Sequence, residues 1–378
     1  MIDKSMHVLW LSREDELMRE IKGLAVALQR VGYSLTCLEP DTRPDVHIND
    51  LIKKCPETPS LIVHPEPWVP ILPRGLTEVA IPTVGIQCDV YAFTHRRLLY
   101  SMLFDYVAIL HPGFEKIFQD AGHSRTITLP FAADPDYFCD SDERRVYEIA
   151  SVGRLFPNLY KSRMEILSSL SGEFKMNEWN RNHNYSEVPS VYRRSKIVIN
   201  IPRDDFPTDV SMRFAEAMAC GALFLTRMPS EMTALGFEES VHFCGYHHAG
   251  EIPEIARKYL RDEDARRRIA HAGRDKVLRE HTYDARIANL LARIRQDNGT
   301  LNAPSRSWSR SRVHLAYLDY FSGNAALDCA SEDLWPIVRA ASPESWKALE
   351  LIARCAASRI RSRIQSLGNP NKPTPIKV

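Results

Sequence analysis

The chain has 378 residues, too many for one ordinary hydrophobic core, so two domains and a smaller addition are expected. Its formal net charge of +1 argues against a dedicated nucleic-acid binder, and its hydrophobic (44%) and charged (26%) fractions are ordinary for a soluble globular protein. The apolar runs are strand-sized, so neither a membrane span nor a secretion signal is predicted. Eight scattered cysteines without a CxxC pair argue against structural zinc and disulfides and favour a reducing cytoplasm.

The first 135 residues alternate between strand-like and helix-like patterns. Short, almost continuously apolar runs separated by helical stretches are typical of a parallel sheet covered on both faces. They predict a doubly wound, Rossmann-like α/β domain over residues 1–135. The predicted strands are HVLWLS (7–12), SLTCLE (34–39), SLIVHP (60–65), PTVGIQCD (82–89), YVAILHP (106–112) and TITLP (126–130).

A second pattern of the same kind follows an Asp- and Pro-rich loop at 131–145. It predicts a second Rossmann-like domain over 146–296, and the cleft between the two domains is the expected ligand site. A polar stretch at 297–312 is predicted to be a linker to a helical extension over 313–367. The predicted strands of the second domain lie at 146–153, 196–201 and 222–226.

One strand-end loop of the second domain, SVGRLFPNLYKSR (151–163), carries candidate ligands for an anion. Gly153 permits close backbone approach, Arg154 follows it, and Lys161 and Arg163 lie at the start of a helix. Together with the helix N-terminus, these cations suit a diphosphate. The structural alternative is an ordinary turn with solvated cations.

The segment TDVSMRFAEAMACGALFLTR (208–227) is predicted to form a helix that ends at Gly221, followed by a buried strand. On that helix Asp209, Arg213 and Glu216 are spaced to share one face. One interpretation is a ladder of salt bridges. Charges near a core persist only when they are paired or used, so the other interpretation is that Glu216 accepts both hydroxyls of a ribose.

The run RFAEAMACGALFLT resembles the glutamate-containing signature of GT-B glycosyltransferases. The longer run INIPRDDFPTDVSMRFAEAMACGALFLT is similar to the group named after the spore maturation protein CgeB, within the family-four-like retaining transferases. Residues 104–138 and 260–291 also resemble that group. The likeness covers residues 85–295 well, and residues 1–84 resemble it only in fold.

The resemblance implies two Rossmann-like domains facing a cleft, the GT-B fold, and a nucleotide-sugar-dependent glycosyltransferase. The second domain would hold the donor, with Glu216 on the ribose and Arg154 and Lys161 on the diphosphate. These cations would stabilise the leaving nucleotide, so neither a metal nor another cofactor is expected. The resemblance also implies retention by front-face displacement, in which the leaving phosphate helps to deprotonate the incoming nucleophile.

The chain departs from the family pattern at two places. The usual motif has two glutamates with seven residues between them, but the first position here is Thr208, and Asp209 follows it. Either the loop is shifted so that Asp209 takes the role of the first glutamate, or other residues contact the sugar. Arg213 is then a partner of the diphosphate or of Glu216, and the second is favoured because an i,i+3 pair needs no ligand. The Gly-Gly loop of many relatives is replaced by SREDE (12–16).

Further candidates lie at other strand ends. In the first domain, His111 in ILHPG is a candidate to hydrogen-bond the transferred sugar or the phosphate, and Asp89 in IQCDVY to orient an acceptor hydroxyl. His64 is a third option, and each of the three has a structural alternative. In the second domain, Ser230 in TRMPSEMTAL is a candidate N-cap whose neighbouring amides face the same anion.

The extension ends in a basic amphipathic helix at 343–367. Docking on its own protein or on a second subunit is favoured, and contact with an anionic membrane is the alternative. Three functions stay open. They are a cytoplasmic glycosyltransferase whose acceptor is a glycan, lipid-linked sugar, natural product or protein; a GT-B-like nucleotide-sugar epimerase or hydrolase; and a non-catalytic sugar-binding or scaffold protein of the cell surface or spore coat.

Overall fold

The computed structural model describes most of the chain up to residue 309 and only short pieces beyond it. The described ranges are 6–12, 19–38, 46–65, 73–92, 94–156, 159–309, 312–313, 315–316, 346, 348–351 and 353. The predicted extension over 313–367, with its basic helix, and the loop at 13–16 therefore lie mainly outside the described residues. Within the described part, no helix has both the length and the apolar character needed to cross a membrane.

A six-stranded sheet forms the first domain, and it confirms all six predicted strands. Each strand is shorter than its apolar run, because the run continues beyond the paired residues. The strands are β1 (His7–Trp10), β2 (Ser34–Cys37), β3 (Leu61–Pro65), β4 (Thr83–Gln87), β5 (Tyr106–Ile109) and β6 (Thr126–Thr128). Their order is β2-β1-β3-β4-β5-β6, and every pair of neighbours is parallel.

Helices connect these strands and cover the sheet. Every residue of β1, β3, β4 and β5 is buried, as expected for a sheet with helices on both faces. The four helices described in this domain are α1 (Arg19–Arg30), α2 (Ile48–Ile52), α3 (Thr94–Ser101) and α4 (Glu115–Asp120).

The second domain contains a four-stranded parallel sheet. Its strands are β7 (Tyr147–Ala150), β8 (Ser195–Asn200), β9 (Leu223–Arg227) and β10 (Cys244–Tyr246), in the order β10-β9-β8-β7. The first three were predicted, whereas β10 has only three residues and gives no recognisable pattern. The helices are α5 (Lys161–Ser171), α6 (Val188–Arg193), α7 (Arg213–Ala219), α8 (Glu231–Ala234), α9 (Ile252–Arg261), α10 (Glu263–Glu280) and α11 (Tyr283–Gln296).

Helix α11 joins the two sheets. It follows the second sheet in sequence but packs against α1 of the first, where a Cβ added at Gly23 would lie 2.3 Å from the Tyr283 ring. Arg286 is 6% exposed, and its Nε donates to the carbonyl of Pro130 in the interdomain connection at 3.0 Å. These contacts fix how the strand ends of the two sheets face each other.

The stretch at 297–312 is not the simple linker that its polar composition predicts. Arg306 Nη2 lies 2.9 Å from Oδ2 of the buried Asp105, whose Oδ1 also accepts from two backbone amides of the same stretch. Burial raises the pKa of Asp105, but the hydrogen bond and charge of Arg306 lower it overall. The arginine and its neighbouring amides therefore hold this stretch against the first domain, an attachment that its polar composition does not predict.

Candidate functional site

The carboxyl ends of strands from both sheets meet in the cleft. The Tyr91 ring, after β4, stacks on the Phe206 ring, after β8, with centroids 4.6 Å apart. His111, after β5, hydrogen-bonds Glu231, the first residue of α8. Ligands of parallel α/β sheets bind at this edge, so the candidate site is built from these loops.

The three charges singled out near α7 do not share a helix face. The helix begins at Arg213, and Asp209 lies in the loop before it, so the prediction of one face for Asp209, Arg213 and Glu216 is wrong. Ser211, at φ 47°, takes the backbone out of helical geometry, and its N–H donates to Asp209 Oδ1 at 2.7 Å. The end of the helix is confirmed, because Gly221 has φ +70°.

Arg213 reaches the end of β7. Its Nε donates to the carbonyl of Val152 at 2.6 Å, and its Nη1 donates to Asn200 Oδ1 at 2.9 Å and Ser211 Oγ at 2.7 Å. The favoured pairing with Glu216 is not among its hydrogen bonds within the described chain. A Cβ added at Gly153 would lie 2.7 Å from Arg213 Nη2, so this approach requires a glycine.

A second guanidinium, from Arg163 on α5, lies beside the same glycine. Its Nη1 is 3.1 Å from the position of a Cβ added at Gly153. The side chain is 3% exposed, with Nε donating to the carbonyl of Ile201 at 2.7 Å and Nη1 to that of Arg154 at 2.9 Å. Burial, and then the charge of Arg213, lower the pKa of Arg163 to about 9. No carboxylate of the described residues forms a salt bridge with either arginine, so the pair is suited to an anion.

The two cations predicted for the diphosphate, Arg154 and Lys161, lie at the surface near this pair. The Arg154 guanidinium is 5.9 Å from the centre of the Phe156 ring. Lys161 is the first residue of α5, and its Nζ lies 4.0 Å from Glu165 Oε1 with 79% of the side chain exposed. Their part in donor binding stays a prediction.

Glu216 and Ser230 are placed by the helices that follow β8 and β9. Glu216 is 1% exposed and lies one turn after the first residue of α7. Ser230 is the N-cap of α8, as predicted, and its Oγ accepts from the Met232 N–H at 3.3 Å. The roles of both residues toward a nucleotide stay predictions.

His111 makes a buried contact across the cleft. It is 1% exposed, and its Nδ1 lies 2.9 Å from Glu231 Oε2. Burial lowers the pKa of His111, but the hydrogen bond and charge of Glu231, and then the charges of two aspartates, raise it overall. The rings around the imidazole are 5.1 to 6.5 Å away, centre to centre, and belong to Tyr91, Phe114, Phe131 and Phe206.

Asp209 completes this group from the second domain. The ligand atoms of His111, Asp209 and Glu231 all lie within 4.8 Å of one another, a spacing that also suits a divalent cation. Because Glu231 already hydrogen-bonds Nδ1 of His111, a cation bound at that nitrogen would displace the shared proton. The Glu231 N–H donates to the carbonyl of Thr208 at 3.1 Å, so the start of α8 is joined to the loop before α7.

The third predicted catalytic residue, Asp89, lies near the same imidazole. Its Oδ1 accepts from the Tyr91 hydroxyl at 3.1 Å, and that hydroxyl accepts from Arg203 Nη1 of the second domain at 3.0 Å. His64, in contrast, is fully buried in the first core, with Nδ1 2.5 Å from the Tyr100 hydroxyl. The structural alternative is therefore correct for His64.

Sequence reasoning did not single out Glu231, although it follows Ser230 directly. An acidic residue at the first position of a helix is usually explained by its interaction with the helix dipole. That explanation does not predict the hydrogen bond to His111, 120 residues earlier in the chain. Arg163 was noted among the loop cations but ranked below Arg154 and Lys161. Lys161 and Arg163 both lie in the first turn of α5, where a cation opposes the helix dipole, so this signal does not separate them, and only the structure shows that Arg163 is the buried one.

The second domain matches a known family. Residues 144–292 match the family model described as glycosyl transferase-like. No curated protein matches the chain significantly.

Solved structures share the architecture at low identity. Alr3699/HepE from Anabaena, in complex with UDP and glucose, is 13% identical; the match covers 76% of this chain and 99% of that chain, with a TM-score of 0.53. A glycosyltransferase from Rickettsia africae ESF-5 is 11% identical, with coverage of 79% and 100% and a TM-score of 0.56. A putative UDP-N-acetylglucosamine 2-epimerase from Listeria monocytogenes is 11% identical, with coverage of 79% and 98% and a TM-score of 0.50.

At these identities the likeness concerns the fold and does not carry activity over. The two parallel sheets of the chain are consistent with that likeness. The chain therefore has the GT-B fold, with two Rossmann-like domains, and residues 144–292 of its second domain match the glycosyl transferase-like family model.

Proposed function

We propose that this protein is a glycosyltransferase that moves a sugar from a nucleoside-diphosphate donor to an acceptor. The observation that carries the proposal is the convergence of Arg163 and Arg213 on Gly153 at the end of β7. Two neighbouring guanidinium groups without a carboxylate partner in the described chain suit a diphosphate. The glycosyl transferase-like match of this domain, and the UDP in a structural neighbour, support the same donor class.

The proposal also assigns roles around that diphosphate to the remaining predicted residues. In this proposal Glu216 accepts the ribose hydroxyls, while Arg154 and Lys161 meet the donor from the rim. Glu231 lies beside Thr208 and His111, so it supplies the carboxylate that the family motif has at its first position. Ser230 fixes the start of α8 and so orients Glu231.

We propose transfer with retention, on the resemblance to the CgeB-like group. The bond between the sugar C1 and the phosphate oxygen breaks, the acceptor oxygen bonds to C1 from the same face, and the acceptor proton passes to the leaving phosphate. Guanidinium groups stabilise the charge that develops on that phosphate, so the step needs no metal. His111, which Glu231 holds in place, donates to the sugar or phosphate, and Asp89 and Asp209 orient hydroxyl groups.

The proposal is tested by a thermal-shift screen of the intact chain against UDP, GDP, ADP, CMP and dTDP in the presence of EDTA. A nucleotide that binds only the native state raises the Tm by mass action. We expect one clear shift, which Glu216→Ala abolishes while the variant keeps its cooperative melting. An equal shift in Glu216→Ala contradicts the ribose assignment. No shift with any nucleotide favours the non-catalytic scaffold instead.

A nucleotide-sugar epimerase or hydrolase is the second candidate, favoured by the fold likeness to the putative 2-epimerase. Neither reaction needs an acceptor. Incubation of the intact chain with the donor alone therefore separates the candidates. Rapid epimerisation or hydrolysis without a second substrate supports the alternative, and an unchanged donor supports the transferase.

A further inference from the structure

A second cleft, rich in arginine, lies at the opposite edge of the second sheet. It has a volume of about 600 Å³ and includes Lys196, near the start of β8, and Gly221, just before β9. One wall is the interdomain connection at 140–145, and the other is formed by residues 263–274 of α10. The residues proposed to bind the donor lie at the carboxyl ends of these strands, whereas this cleft lies at their amino ends. The two sites are therefore at opposite ends of the same strands.

Positive charge exceeds negative charge in this cleft. Four carboxylates line it, but three already have partners. Arg145 lies 2.8 Å from Asp140, Arg267 lies 2.7 Å from Glu263, and Arg193 from outside the cleft lies 2.8 Å from Glu143. The six cations of the cleft are Arg144, Arg145, Lys196, Arg266, Arg267 and Arg274.

Three of these cations, Arg144, Lys196 and Arg274, have no carboxylate partner among the described residues. The Nε of Arg274 is buried and has no hydrogen-bond acceptor in that part of the chain. A buried donor without an acceptor is costly, so the Arg274 side chain would gain from an acceptor that the described chain does not supply.

The paired arginines repel one another across the cleft. Burial lowers the pKa of Arg266, and although Glu263 raises it, the charges of Arg267 and Arg145 lower it again. Arg145 is affected in the same way, first by burial and also by the charge of Arg267. An anion in the cleft would relieve this repulsion.

We propose that this cleft binds a phosphate-bearing small molecule through Arg144, Lys196 and Arg274. Guanidinium forks match phosphate oxygens in geometry, and the cations come from both walls. A volume of about 600 Å³ accommodates a molecule larger than a single phosphate group. The phosphate belongs either to a soluble ester or to a lipid headgroup, which present the same chemistry.

Calorimetric titration of the intact chain with inorganic pyrophosphate tests the site. An Arg213→Gln background weakens the donor site, and pyrophosphate is expected still to bind in the arginine-rich cleft of that variant. Adding Lys196→Gln or Arg274→Gln should weaken that binding about tenfold, since each removes a charge-assisted hydrogen bond. Arg268→Gln, an exposed position of α10 outside the cleft, is the matched control and should change nothing.

Co-sedimentation with vesicles of phosphatidylglycerol in phosphatidylcholine distinguishes the source of the phosphate. Vesicle binding that Lys196→Gln abolishes and Arg268→Gln preserves supports the site and assigns it to a lipid headgroup. Melting curves confirm that each variant is folded, and Lys196→Gln keeps the test valid if Arg274→Gln unfolds. The proposal is overturned if neither pyrophosphate nor vesicle binding depends on the cleft residues.

Discussion

Gly153 admits two guanidinium groups to the end of β7 because it has no side chain. Arg213 and Arg163 stay there because carbonyl and amide oxygens accept their hydrogen bonds, and neutral acceptors leave their charge uncompensated. Ser211, with its positive φ, turns the backbone so that Arg213 opens α7 at this place. Ser211 is thus a point of backbone strain at the candidate site, and its conformation helps to place Arg213 there.

Replacing Gly153 by alanine tests this arrangement. The new methyl group would lie 2.7 Å from Arg213 Nη2 and must displace it. Because the clash involves the end of a flexible side chain, we expect little change in Tm but about tenfold weaker binding of the nucleoside diphosphate. Calorimetry measures the affinity. Gly172→Ala, where the nearest contact of the new Cβ is 3.4 Å away, is the control. Equal affinity of Gly153→Ala and wild type would contradict the assignment.

The buried pair of His111 and Glu231 predicts a pH dependence. Because the pKa of His111 is raised in the folded protein, its protonation contributes stability below the ordinary histidine pKa, about 6.5, as long as Glu231, whose own pKa is raised by burial, stays ionised. That contribution is lost as the pH rises through the folded-state pKa. Glu231→Gln removes the charge but keeps the size, so His111 should titrate at a lower pH.

An NMR titration of the His111 ring protons measures this shift, and the free energy of unfolding against pH gives a second readout. Glu254→Gln, an exposed acid of α9, is the control and should leave His111 unchanged. A His111 pKa that stays the same in Glu231→Gln would show that the carboxylate does not hold the proton.

At the scale of elements, the parallel strands are where sequence and structure agree best. Nine of the ten were predicted, because a strand buried on both faces is an apolar run that stands out locally. The start of α7 was not predictable, because helical spacing continues upstream to Asp209 and only the conformation of Ser211 breaks it. The pairing of Glu231 with His111 depends on the relative placement of the two domains, which a local sequence pattern does not predict.

The contribution to stability of the stretch around Arg306, which packs on the first domain, can be tested by substitution. Removing one partner of a buried ion pair leaves the other charge uncompensated, so Arg306→Leu should lower the free energy of unfolding by about 3 kcal/mol. Urea denaturation measures the loss, with Lys54→Leu at an exposed position as the control. A change within the error of the control would mean that the stretch does not stabilise the first domain.

The same pair predicts the response to acid. The pKa of Asp105 is lowered in the folded state, so its contribution is present above the ordinary aspartate pKa, about 3.9, and is lost as the pH falls through the folded value. Without Arg306, burial still raises the pKa of Asp105, and only the weaker effect of the backbone amides of Asn302 and Ala303 opposes it. We therefore expect Arg306→Leu to lose stability at a higher pH than wild type during acid titration.

At the scale of the whole molecule, the cleft is defined by contacts that return from the second domain to the first. Tyr283 packs on Gly23, and Arg286 binds the interdomain connection at Pro130. The two-domain organisation could be predicted because the strand pattern restarts after residue 145. The return of α11 to α1 could not, because an amphipathic helix does not specify which surface covers its apolar face.

The central claim is that a nucleoside diphosphate binds in this cleft between Arg163 and Arg213. Calorimetric titration of the intact chain with the nucleotide identified by thermal shift tests it most directly, comparing wild type, Arg213→Gln and Lys161→Gln. We predict at least about tenfold weaker binding in Arg213→Gln and a smaller loss in Lys161→Gln, whose side chain is 79% exposed. A folded Arg213→Gln variant that binds the nucleotide as tightly as wild type would contradict the account.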